Sequence, residues 1–251
     1  YLDYTKEYES PSSFWKWSAY ASISAVMRDS TWLPDGDGRL YPNIYVLFLA
    51  ESGARKGRPV GLSEECVVSV NNTKIISGRA SIQAILDELA HTETNSKTGK
   101  MVKGGSAIFY APELAAGIVE DPAATGILTD IYDGKTNFTN RLRHSPKFRV
   151  DRIVFTAFMA SNEALIKGVF DSRATHGGLL GRTFLVTPSE IREPCTYPKG
   201  NPEKLGMIKE SLKRISELGG EFIFHEVAAT EFDKWYKEFY LAFTRRKDKS
   251  G

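Results

Sequence analysis

The chain has 251 residues, 41% of them hydrophobic, 25% charged and 12% aromatic. That length buries a core without help from disulfides or metals, and the composition is wrong for a disordered, collagenous or coiled-coil chain. Its 33 Lys and Arg against 31 Asp and Glu leave a net charge of +2, so bulk charge announces neither a nucleic-acid nor a membrane partner; any such partner must be met by a local patch.

Cys66 and Cys195 stand far apart with no CxxC spacing, and His91, His144, His176 and His225 show no metal-ligand spacing. Neither a disulfide framework nor a zinc site is expected, and the cysteine usage suits a reducing, cytoplasmic compartment. The longest apolar runs, around Tyr45 to Ala50 and Ile153 to Ala160, are about strand length and far below the ~20 residues of a membrane span. No signal peptide is visible. The chain begins at Tyr1 without a Met and stops near the basic run Arg245 to Lys249, which reads as a domain cut from a longer protein whose flanking parts hold some of the function.

In chain order, Ser10 to Ser13 followed by Phe14, Trp15, Trp17, Ala21, Ile23, Ala25 and Val26 predicts a Ser-capped helix that ends before Pro34. Leu33 to Gly38 is expected to be a turn-rich loop. Asn43 to Ala50 is a continuous run of β-formers suited to a strand buried on both faces of a parallel sheet. After a Gly/Arg/Lys loop a helix should start near Pro59, a residue well placed in a first helical turn, and Lys74 to Ser77 predicts a short strand. Ser81 caps an amphipathic helix whose Ile82, Ile85, Leu86 and Leu89 follow the i, i+3, i+4, i+7 pattern. Thr92 to Lys103 reads as an exposed loop.

Two further buried strands, Ser106 to Tyr110 and Arg152 to Met159, are each expected to lead into a helix, and Arg182 to Val186 is a fifth strand. Strands alternating with helices argue for an α/β fold with a mostly parallel sheet. Pro202 to Leu218 is helix-like, Glu221 to His225 strand-like, and Thr230 to Arg245 a long aromatic helix. The expected organisation is a core over residues 1–199 and a mainly helical, lid-like appendage over 200–251.

Directly after the first buried strand stands the stretch Ala50, Glu51, Ser52, Gly53, Ala54, Arg55, Lys56, Gly57, Arg58, then a helix. A tight Gly-containing loop that runs into a helix start offers fixed backbone N–H groups to an anion, and a Lys reaches the β- and γ-phosphates. Against the pattern GxxxxGK[ST], Ala50 replaces the first Gly, Arg55 the second, and Gly57 the Ser or Thr that would hold Mg²⁺. The competing reading is a surface strand-to-helix turn with exposed basic residues.

A nucleotide-hydrolysing site also needs an acid at the end of a later buried strand. Glu113 offers it, although Ala111 and Pro112 stand where a preceding Asp belongs, and the alternative for Glu113 is an acid favoured at a helix start by the dipole. Asn162 or Ser161, at the tip of the next strand, could orient water or simply cap a helix over 163–170. Arg182, after the glycines Gly177, Gly178 and Gly181, could deliver a guanidinium to developing phosphate charge, in cis or across a subunit boundary, or could be a surface ion pair.

Taken together, the helix after Pro11, the Glu51 to Gly57 loop, Ser81 opening the Ile/Leu helix, Tyr110 to Leu114 with Glu113, Ile131 to Gly134, Gly177 through Arg182, and the Thr230 to Tyr240 helix with Trp235 resemble a family of helicase-like P-loop proteins of uncharacterised function, common in phages, plasmids and integrated elements and often attached to primase-type domains. The resemblance spans roughly Pro11 to Phe243. It implies a P-loop NTPase with a five-stranded, mostly parallel RecA- or AAA+-like sheet between helices. It also implies ATP and Mg²⁺ as ligands, an oligomeric state, and action on single- or double-stranded DNA in replication. Lys56 carries over as the phosphate-binding Lys, Glu113 as the catalytic acid and Arg182 as a finger or sensor. The Ser/Thr metal ligand and the Asp before the Glu do not carry over, which keeps open a second reading, a nucleotide-binding switch or scaffold that does not hydrolyse.

Lys97, Lys100 and Lys103 could line a pore in a ring or belong to a solvated loop, and the Arg245 to Lys249 tail could touch a nucleic-acid backbone or be a solvated end. Phe232, Trp235, Tyr236, Phe239, Tyr240 and Phe243 fall at helical spacing, which predicts packing of one helix face rather than base stacking.

Overall fold

The structure is a computed structural model and describes residues 1–70, 73–78, 80–90, 93–94, 101–102, 104–113, 122–134, 138–140, 148–150, 152–162, 178–190 and 192–247. The sequence-based expectations for Lys97, Lys100, Lys103, Gly177, three of the histidines and the helix over 163–170 lie outside the described residues.

Five strands form one sheet: β3 (Tyr45–Leu49), β4 (Lys74–Ser77), β7 (Gly104–Ala111), β10 (Arg152–Ser161) and β11 (Thr183–Val186). They lie in the order β11-β3-β10-β7-β4, every neighbouring pair parallel. β3 is apolar at every position, and the buried side chains of β7 and β10 are apolar except Ser106, Thr156 and Ser161, because both faces are covered, as a parallel sheet requires. Within β3, Val46 and Phe48 enter one core while Tyr45, Leu47 and Leu49 enter the other, the period of two that a strand imposes.

Helices α1 (Ser12–Met27), α2 (Gly57–Val68) and α5 (Pro202–Ser216) cover the first face; α3 (Ile82–Ala90) and α4 (Pro122–Tyr132) cover the second. Right-handed crossovers dictate this division. The chain steps from β3 outward to the edge strand β4 through α2, then back through α3 to β7 and through α4 to β10, so α3 and α4 fall on the opposite face from α2.

Helix α1 is rich in small residues and is held by hydroxyls that satisfy one another in the interior. Ser18 Oγ donates to the Pro59 carbonyl at 2.7 Å, and Ser22 and Ser63 share a hydrogen bond of 2.7 Å. Its start differs from the expected Ser cap. Pro11 is the N-cap residue and caps with no side chain. Instead the Ser12 N–H donates to Glu190 Oε1 at 3.0 Å, an acid supplied from far along the chain to a helix end that favours negative charge. Ser81 does cap α3, accepting from the Ala84 N–H at 3.2 Å.

Residues 33–38 are not a free loop. β1 (Thr31–Asp35) and β2 (Gly38–Leu40) pair antiparallel around Gly36, whose φ of +57° suits glycine, and β12 (Gly220–Glu221) adds to β1 in parallel. Of the expected 221–225 strand only Glu221 pairs; Phe222 adds one N–H bond to the Trp32 carbonyl at 2.8 Å. Two short antiparallel pairs, β5 (Glu93–Thr94) with β6 (Met101–Val102) and β8 (Phe138–Asn140) with β9 (Phe148–Val150), complete the strands among the described residues. No helix among them is long and apolar enough to cross a membrane.

The C-terminal part divides differently from a lid placed on a core. α5 belongs to the first core, with Ile208 and Leu212 buried there and Asn201 Oδ1 capping it through the Lys204 N–H at 2.9 Å. By contrast α6 (Glu226–Lys247) does not bury its aromatic face on this chain: Phe232, Trp235, Tyr236, Phe239 and Tyr240 are each 50–56% exposed. The periodicity is as expected from sequence; the intrachain packing is not.

Candidate functional site

The loop of residues 50–56 joins the carboxyl end of β3 to the N-terminus of α2. In an open parallel sheet ligands meet the carboxyl ends of strands where the connections diverge. Here they diverge between β3, which leads off toward β4, and its neighbour β10, which leads back past β3 to β11. The loop stands at that crevice.

Two residues shape it. Gly53 has φ +91°, open to glycine and strained for other residues, and Arg55 takes the left-handed region at φ +54°. Arg55 is held there by the N-terminal segment. Ser10 Oγ donates to the Arg55 carbonyl at 3.0 Å, and Arg55 Nε donates to Glu9 Oε2 at 2.9 Å. The other Glu9 oxygen accepts the Cys195 N–H at 3.2 Å, and Arg58 lies over the Tyr8 ring at 5.2 Å. Arg192 anchors the same segment by donating to the Thr5 carbonyl at 2.7 Å and the Tyr8 carbonyl at 3.2 Å.

Lys56 occupies the N-cap position of α2, an end that no side chain caps. Its Nζ folds back over the loop and donates to the carbonyls of Ala50 at 2.6 Å and Glu51 at 2.7 Å. Partial burial lowers its pKa, and the carboxylate of Glu113 opposes that shift. Lys56 therefore carries its charge across the mouth of the loop, within electrostatic reach of Glu113. Ser52, Gly53, Gly57 and Arg58 are exposed, and Ala54 is half-buried beside them, so the loop is open to an arriving ligand.

Register places the other expected residues at the same edge. Ser161 of β10 pairs with Leu49 of β3, and the Ala50 N–H donates to the Ser161 carbonyl at 3.4 Å, so Asn162 lies beside the loop's first residues. Ala111 of β7 pairs with Met159 of β10, and Glu113 follows two residues later. Lys56, Glu113 and Asn162 thus gather along one edge of three adjacent strands.

Arg182 does not join them within the chain. It ends a short 3₁₀ turn (Leu180–Arg182) immediately before β11, and Thr183 pairs with Tyr45, the first residue of β3. In a parallel sheet the residue before a strand lies at the amino end, and the five residues of β3 put ~15 Å of strand between that end and the loop. Its guanidinium grips Asp133 with two bonds, Nε to Oδ1 at 2.6 Å and Nη2 to Oδ2 at 2.8 Å, and reaches the Gly178 carbonyl at 3.0 Å. The Asp133 bonds raise its pKa. This corrects the expectation of an Arg182 finger in cis: the residue ties α4 to β11. Both partners are about one-third exposed, and a bidentate pair in that setting contributes about 1 kcal/mol. Asp133→Ala should lower stability by that amount in urea denaturation, and an unchanged midpoint would remove the bracing role.

No protein-family model and no curated protein matches the chain. The site therefore rests on its own geometry.

Both cysteines are free, and burial pushes the Cys66 thiol up to about 11. The described residues contain no group of three or more His, Cys, Asp or Glu side chains that could cage a metal. An Mg²⁺ ion needs no such cage when it arrives with phosphates, because it keeps several waters and takes only one or two protein carboxylates. Glu51 of the loop and Glu113 at the end of β7 are carboxylates at this edge that are not engaged with Arg55, as Glu9 is. Glu9, Ser10 and Arg192 were missed from sequence. Glu9 is 46 residues from Arg55, and no local pattern signals such a contact.

Proposed function

We propose that this chain binds ATP with Mg²⁺ over residues 52–58 and works as a helicase-like P-loop ATPase of a mobile genetic element, acting on DNA in replication in the cytoplasm. The observation that carries the reading is the placement of Lys56: an ammonium at an uncapped helix start, in a loop after an interior strand of an all-parallel sheet, at the same sheet edge as Glu113. Numbered along the chain, the core strands lie in the order 5-1-4-3-2, an order compatible with a RecA-like core.

The residues act as follows. An arriving triphosphate takes Lys56 Nζ from two neutral carbonyls and gives it anionic oxygens, a change to stronger charge-assisted bonds. Ala54 and Arg58 already donate to the Glu51 and Arg55 carbonyls and Pro59 has no N–H, so the further backbone donors to the anion come from the remaining amides of the loop and the α2 start. Asn162 orients a water molecule at the edge between β3 and β10. Glu113 accepts its proton as the water oxygen bonds to the γ-phosphorus and the bridging P–O bond breaks, leaving ADP and phosphate. Mg²⁺ arriving with the nucleotide, held by the phosphates, its own waters and the Glu51 carboxylate, would neutralise charge on the phosphates.

The second reading, a nucleotide-dependent switch, is favoured by Gly57, which supplies no hydroxyl to a metal, and by Ala111, which supplies no carboxylate before Glu113. Phosphate release with Mg²⁺, with and without single-stranded DNA, separates the two. Glu113→Gln should reduce turnover on the order of 100-fold or more, the scale of general base catalysis, while ATP still binds. Tight ATP binding by the wild type without turnover would overturn the motor and leave the switch.

A further inference from the structure

A run of exposed aromatic side chains lies away from the loop, on α6. At 100° per residue, Phe232, Trp235, Tyr236, Phe239 and Tyr240 fall within an arc of about 140°, a single apolar face. The rings already touch one another: Phe224, just before the helix, stacks on Phe232 at 5.4 Å, Phe232 tilts against Trp235 at 5.4 Å and Trp235 stacks on Phe239 at 5.6 Å between centroids. Yet every residue over 226–243 is exposed. An aromatic stripe this long on water is far outside what singly scattered surface residues explain, and it marks an interaction surface.

Charge along the helix specifies the occupant. Residues 226–236 carry net −2, from Glu226, Glu231 and Asp233 against Lys234, and residues 237–247 carry net +3, from Lys237, Arg245, Arg246 and Lys247 against Glu238. A second α6 laid antiparallel sets each acidic end against a basic end and opposes the two helix dipoles. Laid parallel, it stacks like charge on like charge at both ends. The area is sufficient. Six half-exposed rings, Phe224 included, present on the order of 100 Å² each, so two copies bury about 1,200 Å², the lower bound of a stable interface. The face is also self-complementary, as a two-fold contact demands.

We propose that α6 is a homodimerisation helix, pairing antiparallel with α6 of a second copy of this chain through Phe232, Trp235, Tyr236, Phe239 and Tyr240. The inference is independent of the nucleotide reading, since no loop residue enters it.

Light scattering coupled to size exclusion tests it on the 251-residue chain at tens of micromolar. The expected mass is twice the 28.0 kDa of one chain. Trp235→Glu with Phe239→Glu should return it to 28.0 kDa without changing far-ultraviolet circular dichroism, because both side chains are exposed in the single chain. Glu226→Lys with Glu231→Lys, and Arg245→Glu with Arg246→Glu, should each weaken the dimer at least tenfold, and mixing the two variants should restore it. A wild-type mass of one chain, or a dimer that survives Trp235→Glu with Phe239→Glu, overturns the proposal. In a Cys195→Ser background, an Ala229→Cys chain that oxidises to a linked dimer would show a parallel pairing and overturn the orientation.

Discussion

Gly105→Ala should lower the melting temperature by on the order of 10 °C, the shift that about 3 kcal/mol gives in a chain of this size. Gly105 lies in β7 opposite Ile153 of β10, and the C-terminal turn of α3 presses directly on its backbone. A methyl group there would sit 2.3 Å from the Leu89 carbonyl oxygen and 2.9 Å from the Leu89 carbonyl carbon and Cα. All three are backbone atoms, so no rotamer change relieves the contact; α3 itself must lift. Lifting α3 opens the second core, where Ile85, Leu86 and Leu89 are fully buried against Phe109 and Phe155. Thermal unfolding followed by circular dichroism reads the effect. Gly126→Ala supplies the contrast, because a Cβ there meets nothing within 4 Å and α4 gains a better helix former. Equal melting temperatures for Gly105→Ala and the wild type would mean that α3 does not pack as described.

Lys56→Ala should weaken ATP binding on the order of 100-fold, about 3 kcal/mol for the charge-assisted bonds lost to the phosphates. The variant should remain folded. Of the two carbonyls that Lys56 now serves, that of the exposed Glu51 can take water in place of the ammonium, and that of the buried Ala50 loses a single donor. Arg58→Ala is the comparison, since its side chain lies over Tyr8 rather than across the loop, and it should cost only a few-fold. Equilibrium dialysis with labelled ATP measures both. Equal losses in the two variants would mean that bulk positive charge, not the position of Lys56, attracts the nucleotide.

Much of the core was legible because it depends on local pattern. β3 reads as an unbroken apolar run and β10 as one interrupted only by Thr156 between Ile153 and Ala160, since both of their faces are covered, and α3 was visible in its Ile/Leu spacing and in Ser81. The loop followed from those, as the segment between a buried strand and the helix at Pro59. What was not legible depends on contacts distant in sequence. The grip of Glu9 and Ser10 on Arg55 joins segments some 45 residues apart, and Glu190 at the start of α1 comes from 178 residues away. The hairpin around Gly36 was hidden because its strands are short and largely exposed, leaving only the turn residues as a signal.

Arg182 teaches a different lesson. The glycines before it suggested an Arg delivered to phosphate charge, but in a parallel sheet a residue that precedes its strand lies at the edge opposite a loop of the same chain that follows one. Topology, not residue chemistry, decides the matter. The α6 aromatics show the converse: their period of three to four residues specifies a face and says nothing of what covers it, so a pattern read as intrachain packing turned out to be turned toward solvent.

The most direct test of the account is a calorimetric titration of the wild-type chain with ATP, AMP and adenosine in the presence of Mg²⁺. Because the site is built around Lys56 and the loop amides, the phosphates should carry the affinity. ATP should bind at least tenfold more tightly than AMP, with adenosine weakest. Equal affinity for adenosine and ATP, or no binding of ATP, would contradict the assignment of residues 50–58 as a phosphate-binding loop.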